Sequence, residues 1–346
     1  MSDLQLGLLV IGAIVVVGVL AYNRRQERAA RRSAEDSFRS AHADVLLDPR
    51  AVRIEPVLAE GHRGPGRVAS PLPADLPDPR IDYIVELSFA IPVAASVLLE
   101  HWKAHEHRYA GRAILACSGD GLAWSRPGPR ESGAVNTLRA GLQLVTREGA
   151  VSEAQLIEFR GAVETLAAAT GATVSAPETR LAVDTAREID RFCGASDIQV
   201  VFHVTAAADG PLAGSKIRAV AEASGLMLED DGRFASRSDA GQLVFALFAR
   251  DGTRFETATI KDAALPGVSL SLDVPRVPDL RRSFQTMAAF ARQLAAVLGG
   301  NLVDDNGNSL DDRAVAAIGA QLDAVRGAFD ARGIATGSAE ALRLFS

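Results

Sequence analysis

His101, His105 and His107 lie within seven residues and are the first candidates for chemistry. On a helix, His101 and His105 at i, i+4 share one face, which is how two ligands of a transition metal are presented. No neighbouring Cys or further His completes the set, and Glu100 and Glu106 beside it mark a solvated helix end. The expectation is no metal. Gly210-Pro-Leu-Ala-Gly214-Ser-Lys216 has the outline of a phosphate loop. It is one residue short between its glycines and carries Ser before Lys rather than after, so it reads as a turn into a helix. Asp304-Asp305-Asn306-Gly307-Asn308 resembles the opening of a calcium loop but lacks the later Glu, and Ser309 with Asp312 predicts a capping box instead. Two isolated cysteines, Cys117 and Cys193, make neither a disulfide framework nor a metal motif, and Cys193 falls on an apolar helix position. No nucleophile elbow, zinc-protease helix or dinucleotide fingerprint occurs. The expectation is a protein that binds rather than catalyses, without a cofactor.

The elements that would position a binding site follow an uneven charge pattern. Leu4 to Tyr22 is a 19-residue run whose only polar member is Gln5. At 1.5 Å per residue it spans about 28 Å, close to the hydrocarbon core of a bilayer. Arg24, Arg25, Arg28, Arg31 and Arg32 follow it and no basic residue precedes it, which predicts a retained anchor with its N-terminus outside and residues 24–346 in the cytoplasm. Seven of the fifteen prolines fall between Pro49 and Pro79, so residues 24–80 read as a basic, then Pro-rich tether. Residues 81–346 carry a net charge of −7, a poor match to a phosphate backbone, and nucleic acid is set aside.

Beyond the tether the chain repeats itself. Leu156, Phe159, Val163, Leu166 and Gly171 stand 128 residues before Phe284, Met287, Ala291, Leu294 and Gly299. Each series is one apolar face of a helix ended by a glycine. Strands are expected at Tyr83–Phe89, Leu138–Thr146, Ile198–Thr205, Leu226–Glu229, Arg233–Ser236, Gln242–Ala249 and Gly267–Val274, and helices at Pro92–His107 and Leu212–Ser224. The fold class is α+β: a single transmembrane helix, then two tandem antiparallel sheets with helices packed on one face. The expected boundaries are 1–23 anchor, 24–80 linker, 81–195 first domain, 196–335 second domain and 336–346 tail.

The opening Met-Ser-Asp-Leu-Gln-Leu-Gly-Leu-Leu-Val-Ile-Gly-Ala, its trailing arginines and the Pro-rich tether resemble the ZipA family of bacterial division proteins. Leu265-Pro266-Gly267-Val268, Asp273-Val274-Pro275, Phe284-Gln285-Thr286-Met287 and Gly299-Gly300-Asn301-Leu302-Val303-Asp304-Asp305 continue that resemblance in order and spacing. It covers about residues 1–30 and 196–330, with residues 81–195 as a degenerate extra copy of the C-terminal domain. It implies an inner-membrane protein at the division septum that tethers FtsZ protofilaments, the C-terminal tail of FtsZ binding the bare face of the second sheet. Strand alternation places Val201, His203, Val244, Phe248, Ser269 and Ser271 on that face, with Arg250 at its edge. The family usually shows more apolar residues where Ser269, Ser271 and Asp273 stand. The alternative is a structural division protein whose twin domains bind another division component.

Overall fold

The computed structural model describes residues 76–109, 111–128, 134–207 and 210–346. The expected anchor, and the tether up to residue 75, lie outside the described residues. Among the described residues no helix is long and apolar enough to cross a membrane.

The first half begins with β1 (Asp82–Ala94), α1 (Ala95–Glu106), β2 (Ala113–Ser118) and β3 (Ala134–Gln143). The short β4 (Val145–Thr146) and β5 (Gly149–Ala150) lead into α2 (Glu153–Thr170), β6 (Ala172–Ser175) and α3 (Thr179–Ser196). The strand at Tyr83–Phe89 therefore runs on through Pro92, and helix starts only at Ala95. Pro92 is tolerated because the β1–β3 ladder skips from Ser88 to Val93, so no ladder bond needs its missing N–H. The sheet has the order β2-β3-β1-β6, all pairs antiparallel.

The second half contains β7 (Gln199–Thr205), β8 (Leu212–Ala213), α4 (Gly214–Ala223), β9 (Met227–Leu228), β10 (Phe234–Arg237) and β11 (Leu243–Ala249). Then come β12 (Ala264–Leu265), β13 (Gly267–Asp273), α5 (Leu280–Leu298), β14 (Asn301–Val303), α6 (Asp312–Ala331) and α7 (Ala339–Leu344). Its antiparallel sheet runs β14-β7-β13-β11-β10-β9. Read from one edge, β6-β1-β3-β2 and β14-β7-β13-β11 are entered by the chain in the same sequence, with a long helix before each edge strand.

Both apolar stripes are buried as their spacing requires. Leu156, Phe159, Val163 and Leu166 on α2 face the first sheet, and Phe284, Met287, Ala291 and Leu294 on α5 face the second. Each helix ends where Gly171 or Gly299 takes a left-handed conformation, at φ 72° and 66°, where a Cβ would be strained. The last long helix is capped by Asp311, whose side chain accepts from the Ala314 N–H. That corrects the expected Ser309 cap: Ser309 instead pairs with Val303 in an isolated bridge, which holds it outside the helix.

The segment 336–346 carries helix α7, and its side chains belong to the first core. Ala341, Leu344 and Phe345 are fully buried there with Phe329 and Ile334, beside Phe192 of α3. Arg343 pairs with the buried Asp82 at 2.6 Å. Burial pushes the Asp82 carboxyl up, against the pull of Arg343.

Candidate functional site

Helix α5 packs on one face of the second sheet, with α4 and α6 against it, in one core with Val200, Phe202, Val204, Leu247, Leu270 and Leu272. The opposite face is read in rows across the strands, since neighbouring residues in a register share a side. One row is Val303, His203, Ser269 and Phe248. The next is Val201, Ser271, Ala246, Ala235 and Met227. Four strand spacings make the second row about 19 Å long, the length of about 13 residues of helix.

The two rows differ in relief. Val201 and Met227 stand at the ends of the longer row, Met227 being 69% exposed, and the three residues between them are small. Phe248 and His203 rise beside this lane and are half-buried. Arg233, just before β10, and Arg237, at its end, flank Ala235 along the chain and help to wall a depression of about 350 Å3. Ala246 and Ser271 line it too, and Leu342 of α7 closes one side. The lane is thus shaped for a partner that brings its own bulk, with cations at one flank.

His203 is fixed at both ring nitrogens. Its Nδ1 lies 2.8 Å from Ser269 Oγ and its Nε2 lies 2.8 Å from Asp305 Oδ1. Asp305 comes from the turn after β14, next to Asp304, whose carboxylate accepts from the Asn308 side chain and from the Asn308 and Asn306 N–H groups. Those bonds hold the Asp304 carboxyl below its ordinary range. The calcium-like stretch is therefore a self-satisfied turn, and among the described residues no group of three metal-binding side chains occurs. Ser, His and Asp in a chain of hydrogen bonds invites comparison with a catalytic triad. Ser269 is only 1% exposed, and its hydroxyl lies against the His203 imidazole.

The predicted face residues fall into three groups. Val201, His203, Phe248 and Ser271 are brought together on the open face and are partly exposed. Ser269 is on the same face but buried, and Arg250 is exposed just beyond β11. Val244 departs from the alternation: a bulge between the Ser236–Phe245 and Arg237–Leu243 pairs makes it an extra residue, partly buried against the second core. Leu243, at 39% exposure, is the apolar side chain shown to solvent there. Met227, Arg233, Arg237 and Asp305 were not among the expected face residues. Arginines two residues to either side of Ala235 signal one face of a strand, but only the β10–β11 register says which.

Cys193 is buried on α3, and burial with Asp190 nearby pushes its thiol up to about 12, so it is held as a neutral thiol. His101 and His105 on α1, and His107 just after it, belong to no group of three metal-binding side chains among the described residues.

Comparison with curated proteins finds no match. Residues 198–321 match the family described as ZipA, C-terminal FtsZ-binding domain, and this range holds β7 to β14, α4, α5 and the first half of α6. Over that range the second half of this chain is similar to the C-terminal FtsZ-binding domain of ZipA.

Proposed function

We propose that this chain is a membrane-tethered adaptor of cell division that docks the C-terminal tail of FtsZ on the open face of its second sheet. The observation that carries the reading is the ZipA-like domain at residues 198–321, whose helices leave that face uncovered. Tail binding draws on Phe248 and Val201 as apolar anchors, with Met227 at the far end of the lane and His203, Ser271 and Arg250 framing it. The apolar run at residues 4–22 holds the chain in the inner membrane, N-terminus outward, and the Pro-rich tether gives the domain reach to protofilaments at the septum. By this means FtsZ polymers are kept at the membrane and the ring is stabilised. The action is association, with no bond made or broken.

Titration of an FtsZ tail peptide into the full-length chain tests the binding. Saturable one-site binding is expected; none at millimolar peptide would overturn it. The anchor is checked separately, since a phosphatase active only outside the membrane should stay silent when fused to the C-terminus. A polar middle strand, Ser269, Ser271 and Asp273, favours the second reading, a structural division protein that meets a different partner. A folded chain that ignores the tail peptide would select it.

A further inference from the structure

The first sheet also has a face turned away from its helices, and the chain itself covers it. Leu76, Pro77 and Asp78 are buried although they precede β1. Pro77 presses on Gly141 of β3: a Cβ added there would lie 2.7 Å from Pro77 Cβ. Gly141 is thus glycine for close approach, not for an unusual backbone angle. The Asp78 N–H donates to Asp82 Oδ2 at 2.7 Å, and the Asp78 carbonyl accepts from the Ile81 and Asp82 N–H groups. Arg80 ties the same turn to Glu340 at 2.7 Å. Trp124 lies under the Arg139 guanidinium, 4.0 Å from ring centre to carbon, one row further along the same face.

The position of that contact is informative. In the first sheet Leu87 pairs with Val174 of the edge strand, and in the second Val204 pairs with Leu302, which stands 128 residues after Val174. Leu87 and Val204 are therefore equivalent, and so are Ile84 and Val201, three residues earlier in each strand. From Ile84 the register runs to Gly141 and Ile114; from Val201 it runs to Ser271 and Ala246. The row on which Pro77 sits is the counterpart of the open lane in the second sheet.

We infer that the outer face of the first sheet is a second peptide-docking lane, in the same register as the one on the second sheet, filled in cis by the chain's own Leu76–Pro77–Asp78. The inference takes from the proposed function only that the second lane receives a peptide. It assigns residues 81–195 a ligand class, a short apolar–proline segment followed by an acidic residue. It also fixes where the tether meets the folded part. A ligand joined to its site by a few residues has an effective concentration in the millimolar range, so free peptide cannot displace it.

The test uses the full-length chain and a synthetic peptide of residues 71–80. The wild type is expected to ignore the peptide, its lane being full. A Leu76→Asp, Pro77→Asp double variant should release the segment, keep its helix content and bind the peptide saturably, at least about ten-fold more tightly than the wild type. A folded variant that binds no peptide overturns the inference. A variant that fails to fold overturns it too, since the segment would then be part of the core rather than a seated ligand. Neither readout involves FtsZ, so failure of tail binding on the second sheet leaves this test standing, and the reverse holds as well.

Discussion

Two phenylalanines of the second sheet, one on β7 and one on β11, separate binding from folding. Phe202 is 1% exposed and packs edge-on against Phe284 of α5, with ring centres 5.9 Å apart. Phe248 is half-buried on the other face, paired across the strands with Ser269 and one row from the small-residue lane. Truncating Phe202 leaves a cavity in a packed core, so Phe202→Ala should cost about 3–5 kcal/mol of stability. Phe248→Ala removes a contact that only a partner completes. It should weaken tail binding by about 30-fold, roughly 2 kcal/mol, while stability shifts by about 0.5 kcal/mol. Thermal unfolding and peptide titration on both variants check the pair. If Phe248→Ala binds as the wild type does, the docking lane is misplaced. His203 adds a reason for the lane to hold its shape, because bonds at both ring nitrogens leave the imidazole one orientation.

At the scale of elements, the parts legible in the sequence were those set by local periodicity. The stripes of α2 and α5 and their terminal glycines follow from 3.6-residue spacing and from the left-handed C-cap, and neither needs a tertiary partner to be recognised. What escaped depended on neighbours. Val244 alternates correctly in the strand, yet the bulge that turns it inward is a property of the β10–β11 pair. The lane's arginines needed the same register, and Asp305 needed the fold to bring its turn to His203. The cap of α6 is a nearer miss, since Ser309 and Asp311 are both good capping residues two positions apart. Only the bridge of Ser309 to Val303 decides between them. Asp311→Ala should therefore destabilise the chain by about 1 kcal/mol in denaturant unfolding, and Ser309→Ala by much less. Equal effects would put the helix start elsewhere.

At the scale of the whole molecule, the C-terminus decides whether the two sheets unfold together. Helix α6 begins in the second core, with Val315 and Leu322 buried there, and reaches the first core by Phe329. The chain after it stays with the first core through Ile334, Ala341, Leu344 and Phe345. Polar contacts run the same way: the Gln242 side chain donates to the Gly337 carbonyl, Arg276 to the Phe345 carbonyl and Gln143 to the Arg343 carbonyl. Arg147 adds a bridge between Asp197 and Asp273, but its partners are half exposed, and such ion pairs contribute at most about 1 kcal/mol. The coupling is thus carried mainly by buried apolar groups at the end of the chain. Ending the chain at Ser338 removes Leu344 and Phe345 and leaves Asp82 buried without Arg343, a loss of about 3–5 kcal/mol for the uncompensated charge alone. That loss falls on the first core, whereas the second keeps every core residue it has. Calorimetry should accordingly show one transition for the intact chain and two for the shortened one, the lower belonging to the first half. Tail-peptide binding should survive between the two transitions, weakened only by the loss of Leu342 from one side of the depression, because the lane's sheet is still folded there. A shortened chain that melts in one step at the original temperature would mean that the tail is not what joins the halves.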